Sequence, residues 1–204
     1  MDTISGFELD ILKELGNIGA GHAATSLSQM IGRIIELTVP KVNIVSISKI
    51  HTALQNQLNG SDIVAGVFVS LNDLENEEVG YIYILFPKNS SKALTSLLLG
   101  NNEESEEMLK SALIELGNIL SSSFCNATAE LLDTMLIPTP PGFAVDYVLA
   151  LIESILPKIA EKSDNIILFE AQLKDESNSV SIMIMFIPDE KIMKCIRKLR
   201  DMVE

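Results

Sequence analysis

The sequence predicts an α+β fold in which two tandem repeats form a single domain with pseudo-two-fold symmetry, and two long helices pack on a largely antiparallel β-sheet. Three observations lead to this prediction: a polar motif that occurs twice at a fixed offset, a long stretch of helical periodicity in each half, and β-branched runs that follow each stretch. Hydrophobic residues make up 47% of the chain, which is enough for a sizeable core.

The repeat is visible in four motif positions, each of which recurs 101 residues later in the chain of 204 residues. The two copies consist of Asp10, Glu14, Asn17 and Pro40, and of Ser111, Glu115, Asn118 and Pro141. A unit of about a hundred residues is too long for a solenoid repeat and small for an independent core. We therefore expect residues 1–204 to form one domain, with repeat one at 1–101 and repeat two at 102–204.

Each repeat is predicted to begin with a long helix. Ser5 and Glu8 have the spacing of a capping box, and Ile4 stands where a hydrophobic staple would begin, so the first helix should start there. Apolar residues then recur with a helical period through Ile35, so the helical stretch is expected to last until just before Pro40. The counterpart in the second repeat is expected over about 104–135.

Runs of β-branched and aromatic residues after each long helix predict strands. These runs are 42–47, 63–71 and 79–86 in the first repeat, and 165–173 and 180–187 in the second. A short helix should close each repeat. The first is expected to be capped by Asn89 and to end at Gly100, and the second to be capped by Asp189.

The second repeat departs from the first in one segment. Apolar residues from Val148 to Ile159 recur at helical spacing, whereas the corresponding part of the first repeat has the pattern of a strand and a polar loop. We therefore expect one additional helix in the second repeat, ended or kinked by Pro157 because proline lacks an amide donor. Whether this helix is core or a regulatory surface stays open at this point.

The overall composition narrows the classes of function. A net charge of −13 argues against binding to nucleic acid or to anionic membrane surfaces. No apolar run approaches the roughly 20 residues needed to span a bilayer, and the first residues lack the basic and apolar regions of a signal peptide. Two cysteines, Cys125 and Cys195, fit a reducing compartment. A cytoplasmic protein without membrane insertion is expected.

The polar motif residues should share one face of each long helix. At about 100° per residue, Asp10, Glu14 and Asn17 fall within about 60° of one another. Gly16 lies roughly 200° from Glu14, where it could allow the helix to pack closely on the core. For a single triplet, simple exposure to water would be the favoured interpretation, but the duplication favours function. An asparagine amide both donates and accepts hydrogen bonds, so it can orient a water molecule for attack, while a nearby carboxylate can pair with a partner's lysine.

Two other kinds of chemistry fit the sequence less well. The repeat contains no combination of serine or cysteine with histidine and aspartate in register that would activate a nucleophile. Metal sites on helices usually add a histidine at helical spacing, but the chain has only His22 and His51, and Ser123 stands at the position equivalent to His22. We expect no intrinsic metal site.

The motif resembles the signature of the CheC, CheX and FliY family of chemotaxis phosphatases, which is Asp or Ser, three residues, Glu, two residues, Asn, twenty-two residues and Pro. The two-copy arrangement in a chain of this length is similar to the CheC branch of that family. The resemblance implies hydrolysis of the aspartyl phosphate of CheY-P, a phosphorylated response regulator. It also implies that Asn17 and Asn118 orient the hydrolytic water, and that Glu14 and Glu115 contact the regulator's active-site lysine. The remaining motif residues, in supporting roles, would be Asp10, Pro40, Ser111 and Pro141. The two prolines would end the segment that follows each long helix.

The resemblance further implies partners and cofactors. Mg²⁺ would be supplied by the response regulator, so no intrinsic cofactor is expected and no phosphoenzyme should form. CheC-type proteins also bind CheD, a receptor-modifying deamidase, and the asymmetric segment offers Asp146, Glu153 and Ser154 as candidate contacts. A monomer is expected, since one chain already holds both motif copies. Two alternatives remain: a non-enzymatic flagellar-switch protein with the fold of the FliM middle domain, and a CheD-binding regulator with vestigial phosphatase activity.

Overall fold

A computed structural model describes residues 5–57, 63–88, 91–100 and 105–203. Within these residues the secondary-structure elements follow in the order α1 (Gly6–Ile31), β1 (Glu36–Ser46), a 3-10 turn (Ile47–Lys49), α2 (Ile50–Gln57), β2 (Ile63–Asn72), β3 (Glu78–Pro87), α3 (Ser91–Leu99), α4 (Glu106–Leu132), β4 (Ile137–Pro138), β5 (Gly142–Tyr147), α5 (Val148–Lys162), β6 (Asn165–Lys174), β7 (Ser179–Pro188) and α6 (Glu190–Val203).

The seven described strands form one antiparallel sheet in which the two repeats interleave. The strand order is β1-β6-β7-β3-β2, and β4 and β5 both pair with the free side of β2. The first strand of repeat one therefore pairs with β6 of repeat two, while the first strands of repeat two pair with β2 of repeat one. The central strands β3 and β7 pair with each other. The predicted α+β class, antiparallel sheet and pseudo-two-fold arrangement are confirmed.

Helices cover both faces of this sheet. The long helices α1 and α4 pack on one face together with α3 and α6, around a core that includes Leu12, Leu116 and Phe169. The helices α2 and α5 pack on the other face, around Ile50 and Ile152. The two long helices were predicted, whereas this second helical layer was predicted only in part. No helix within the described residues is both long enough and apolar enough to cross a bilayer.

The capping box at the start of α1 is confirmed. The Glu8 amide donates to the Ser5 hydroxyl at 3.2 Å, and the Ser5 amide donates back to the Glu8 carboxylate. The Arg197 guanidinium of α6 lies 3.3 Å from the same carboxylate. Burial alone would raise the pKa of Glu8, but the hydrogen bonds from Ser5 and Arg197 outweigh it and hold the pKa below its ordinary value. Ile4, the predicted staple residue, lies outside the described residues.

The long helices end earlier than their apolar periodicity predicts. Helix α1 ends at Ile31, because Gly32 adopts the left-handed conformation with φ of +74° and donates its amide to the Ser28 carbonyl at 2.9 Å. Helix α4 ends at Leu132. Ile35 continues the apolar period, but it is buried just before β1 begins. The predicted extension of the first helix to this residue is wrong.

The sequence suggested that the additional helix of the second repeat has no counterpart in the first, but the structure contains one. Helix α2, of eight residues, lies at the equivalent position in repeat one, and α5 has fifteen residues. The two repeats therefore differ in the length of this helix, and the prediction that repeat one lacks it is wrong. The apolar signal in α2 is short, since Ile50 and Leu54 are its only fully buried hydrophobic side chains among those described. Pro157 lies within α5 and does not end it.

Other predicted boundaries fared differently. Helix α3 ends at Leu99, and Gly100 follows it with φ of +84°, in agreement with the prediction within one residue. The bounds of β2, β3, β6 and β7 also agree with the predicted bounds within one or two residues. The Asp189 carboxylate accepts hydrogen bonds from the Lys191 and Ile192 amides at 2.9 and 3.0 Å, so the predicted cap of α6 is confirmed. Asn89 lies outside the described residues. Strand β1 is longer than predicted, and β4 and β5 were not predicted.

Candidate active site

The Glu and Asn residues of both motif copies lie on exposed helical faces. Glu14 and Asn17 are exposed on α1, and Glu115 and Asn118 are exposed on α4. Within the described part of the chain, none of these four side chains is held by a hydrogen bond or an ion pair. Each repeat thus presents a carboxylate and an amide, one helical turn apart, that can reach another molecule without breaking an internal contact.

Glycines hold the opposite sides of the same helices close to the sheet. A Cβ atom at Gly16 would lie 3.0 Å from the ring of Phe169, and one at Gly117 would lie 2.4 Å from Cγ1 of Val67. The expectation that Gly16 allows close packing on the core is confirmed, and Gly117 has the same function in α4. Gly21, on the motif side of α1, is exposed and would place a Cβ in open space.

The two Glu and Asn pairs lie at opposite ends of the α1 and α4 helix pair. The helices approach closely where a Cβ at Gly19 would be 3.5 Å from the Phe124 backbone. Glu115 lines a cleft with Met30 at the C-terminal end of α1. Glu14 precedes Met30 by sixteen residues, or about 24 Å along the helix axis. The two pairs are therefore separate sites.

The first motif positions are also exposed. The Asp10 carboxylate lies 2.9 Å from Lys13 Nζ, one turn along α1, and Ser111 is exposed at the equivalent position of α4. A solvent-exposed ion pair of this kind contributes little to stability. Their supporting role stays a prediction.

The two motif prolines were expected to end the segments that follow the long helices, but they do not. Pro40 lies inside the edge strand β1, where the pairing with β6 shifts register between Thr38 and Lys41. Pro141 lies between β4 and β5 on the opposite edge of the sheet. A proline has no amide hydrogen for the ladder, so it is tolerated where an edge strand is irregular. Both prolines therefore interrupt edge strands at equivalent places.

The residues predicted to contact CheD lie on β5 and α5. Asp146 is exposed in β5, and its carboxylate accepts a hydrogen bond from the Tyr147 amide at 2.7 Å. Glu153 is exposed on α5, 3.8 Å from Nε2 of His51 on α2. Ser154 donates its hydroxyl hydrogen to a backbone carbonyl of α5 at 2.7 Å. Their role in binding stays a prediction.

One acidic group among the described residues has the geometry to hold a cation. It consists of Asp73, Glu75 and Glu77, in the turn between β2 and β3. Lys191 of α6 already forms an ion pair with Asp73, and this hydrogen bond holds the pKa of Asp73 below its ordinary value. The group contains no motif residue. His22, the histidine nearest the motif in sequence, lies 3.5 Å from Glu130 of α4.

Sequence reasoning missed Arg33, which lies beside the second pair. This residue follows Gly32 at the end of α1 and lines the same cleft as Glu115. Its guanidinium lies 3.0 Å from the carboxylate of Asp175 and donates to the Ser96 carbonyl at 2.7 Å. No local pattern could reveal these contacts, because the partners come from distant parts of the sequence.

The two motif copies, each running from a long helix to an edge-strand proline, coincide with two separate matches to one known family. The CheC-like family matches residues 7–44 and 108–145. Both motif copies are therefore similar to the CheC-like family. A Bacillus subtilis relative named CheY-P phosphatase CheC is 29% identical over 191 residues, which cover 89% of this chain and 88% of that protein.

Solved structures share the fold of this chain. Thermotoga maritima FliY has a TM-score of 0.74 at 22% identity, with 97% of each chain covered. The FliM middle domain from H. pylori has a TM-score of 0.63 at 14% identity, with 96% of this chain and 99% of that chain covered. At these identities the likeness concerns the fold alone.

Proposed function

We propose that this protein hydrolyses the aspartyl phosphate of a CheY-type response regulator. The observation that carries the proposal is the duplicated pair of exposed Glu and Asn side chains on α1 and α4, in a chain whose curated relative is named CheY-P phosphatase CheC. Long helices packed closely on a sheet are rigid supports for side chains that must enter a partner's active site.

The asparagines would supply the catalytic geometry. The amide of Asn17 or Asn118 can accept from and donate to one water molecule, which places its oxygen in line with the phosphorus atom. Water then attacks phosphorus, the bond between phosphorus and the aspartate oxygen breaks, and a carboxylate and inorganic phosphate form. Because phosphoryl transfer needs mainly positioning and charge stabilisation, one oriented water is a sufficient contribution from this chain.

The glutamates would set the docking geometry. Glu14 or Glu115, one turn before the asparagine, can pair with the active-site lysine of the regulator and so fix the position of the helix. The Mg²⁺ of the reaction would belong to the regulator, so the proposal requires no metal ligand from this chain. The acidic group at Asp73 has no part in it.

The direct test measures phosphate on both proteins. A CheY-type regulator is labelled on its aspartate, freed of phosphodonor, and incubated with Mg²⁺ in the presence or absence of this protein. We expect faster loss of acid-labile phosphate, one equivalent of inorganic phosphate, and no label on this chain. Label transferred to this chain, or a rate equal to that of the regulator alone, would contradict the proposal.

A flagellar-switch protein without enzymatic activity is the main rival. The fold does not separate the two possibilities, because the FliM middle domain shares it. The intact Glu and Asn pairs favour hydrolysis, since a purely structural protein has no need of two exposed copies. The rival, or a regulator with vestigial activity, would be supported by binding of the regulator without faster loss of phosphate.

We also propose that CheD binds at the β5 and α5 surface, and that the protein acts as a monomer. The family resemblance and the exposure of Asp146 and Glu153 support the binding surface. Asp146→Lys should weaken the capture of CheD, whereas Glu176→Lys, an exposed change in the turn between β6 and β7, should not. Equal capture of CheD by both variants would show that Asp146 does not contribute to the binding surface.

A further inference from the structure

The cleft beside Glu115 has walls from three elements. They are the C-terminal end of α1, the C-terminal end of α3 and the first turns of α4. The lining is mostly apolar, and besides Glu115 it includes Met30, Ile31, Arg33, Leu98, Leu99 and Ala112. The side chain of Met30 is 48% exposed, so the cleft is open to a partner. A protein that covers Glu115 must also cover this cleft.

Arg33 connects the elements that form these walls. Its guanidinium donates to the carbonyl groups of Ser96 and Leu97, near the end of α3. The last carbonyl groups of a helix lack intrahelical donors, and a cation is favourable there. Because Arg33 directly follows the terminal glycine of α1, its side chain holds the ends of α1 and α3 together.

Asp175 fixes the other side of the same guanidinium. Arg33 Nη1 lies 3.0 Å from Asp175 Oδ2, and the Asp175 side chain is only 4% exposed. The Asp175 carboxylate also accepts hydrogen bonds from the Ser177 and Asn178 amides at 2.8 and 2.6 Å. Burial would raise the pKa of Asp175, but these bonds and the charge of Arg33 hold it below its ordinary value. The turn between β6 and β7 thus holds the Asp175 carboxylate in place by hydrogen bonds, and this carboxylate in turn positions Arg33.

The second repeat has no equivalent of this arginine. Thr134 stands 101 positions after Arg33, and its hydroxyl contacts the Leu132 carbonyl at 3.2 Å and Cys195 Sγ at 3.3 Å. A threonine side chain is too short to bridge a helix end and a distant turn. The two Glu and Asn pairs therefore match in their motif residues and differ in the residue that supports the neighbouring wall.

We propose that Arg33 is a positioning residue for the second pair, because it holds the cleft beside Glu115 as a docking subsite for an apolar side chain of the phosphorylated regulator. This inference rests on the proposed function. When Asn118 reaches the aspartyl phosphate, the regulator surface next to its active site covers the cleft. Arg33 itself touches neither the phosphate nor the water. The subsite belongs to the second pair, so its loss changes regulator binding at one site.

The test uses single-site proteins. Asn17→Ala leaves the second pair active, and Asn118→Ala leaves the first. Into each we would place Arg33→Thr, the residue found at the equivalent position, and Arg33→Lys. We expect Arg33→Thr to raise the KM for the phosphorylated regulator about tenfold more in the Asn17→Ala protein than in the Asn118→Ala protein, with kcat changed less than about twofold. Arg33→Lys should raise this KM less than Arg33→Thr does, because a lysine can still pair with Asp175.

A second variant keeps the test decisive if Arg33→Thr lowers stability. Met30→Glu changes an exposed wall of the cleft without touching the Arg33 contacts, and it should raise the same KM selectively. Equal effects in both single-site proteins, an effect on kcat alone, or no effect would overturn the inference. If neither single-site parent accelerates loss of phosphate, the proposed function itself fails. In that case the Kd of the phosphorylated regulator for each variant decides whether the cleft binds it.

Discussion

The asparagines of the two pairs each follow a glycine that faces the core. Gly16 and Gly117 bring the helix backbones against Phe169 and Val67, and the next residue along each helix is exposed. A residue packed closely on the core is thus followed directly by an exposed residue in both helices. A rigid backbone under each asparagine is what orientation of a single water requires, since small displacements weaken such catalysis greatly.

This packing predicts opposite effects for two glycine substitutions. Gly117→Ala places a Cβ 2.4 Å from Cγ1 of the stiff Val67 side chain, and it should lower the free energy of unfolding by about 1–3 kcal/mol. Gly21→Ala meets nothing within 4 Å on an exposed helical face and should raise it by up to about 1 kcal/mol. Urea unfolding measures both. Equal destabilisation by the two changes would show that helix packing does not explain the difference.

At the scale of single residues, the sequence pointed to part of the candidate site, whose role stays a prediction. Duplication at a fixed offset located Glu14, Asn17 and their equivalents, because a repeated polar pattern is visible without knowledge of the fold. Arg33 could not be found in this way. Its proposed role depends on the carbonyl groups of α3 and on Asp175, which only the folded chain brings together.

The predicted ends of the helices agree with the structure where a single local sequence signal sets them. The capping box at Ser5 and the cap at Asp189 are local, and both were predicted. The end of α1 was misplaced, because the apolar period continued to Ile35 while Gly32 ended the helix through its left-handed conformation. Helix α2 was missed for a related reason, since a short helix in a polar segment has few periodic residues.

Helix α5 contains a proline that the helix tolerates at a cost. Pro157 is exposed inside the helix, where its ring removes the donor for the carbonyl of Glu153. The buried side of α5, which includes Ile152 and Ile159, offsets this loss by packing on the sheet. The second repeat thus keeps a long helix by its tertiary contacts and against its local propensity.

Pro157→Ala should therefore stabilise the protein. The substitution restores one helical hydrogen bond and removes a ring that fills no core space, so we expect the free energy of unfolding to rise by about 1–3 kcal/mol. Lys158→Ala, at the neighbouring exposed position, is the matched control and should change it by less than about 0.5 kcal/mol. Thermal and urea unfolding compare the two. A destabilised Pro157→Ala protein would mean that the proline has a structural role in α5.

The whole molecule depends on exchange of strands between its repeats. Strand β1 of repeat one pairs with β6 of repeat two, and β5 of repeat two pairs with β2 of repeat one. The sequence predicted the two-fold relation from the repeat offset. It could not predict this interleaving, because the offset relates equivalent residues and does not say which edges pair. Because the two repeats share one sheet, we expect that neither has an independent core.

Separate expression of the repeats tests this dependence. In a fragment of residues 1–101, β1 loses its partner β6 and β3 loses its partner β7. We expect fragments 1–101 and 102–204 to be poorly folded or self-associated when alone, and to recover native circular dichroism when mixed in equal amounts. A monomeric fragment that unfolds cooperatively would contradict the proposed single domain.

The central claim is that each exposed asparagine orients the water that hydrolyses the regulator's aspartyl phosphate. The most direct measurement is the rate of loss of acid-labile phosphate from a phosphorylated CheY-type regulator with the wild-type protein, Asn17→Ala, Asn118→Ala and the double variant, each checked for folding. We predict that the wild-type protein accelerates the loss, that each single variant is slower, and that the double variant loses about a hundredfold or more of the acceleration. A double variant as active as the wild-type protein would contradict the account.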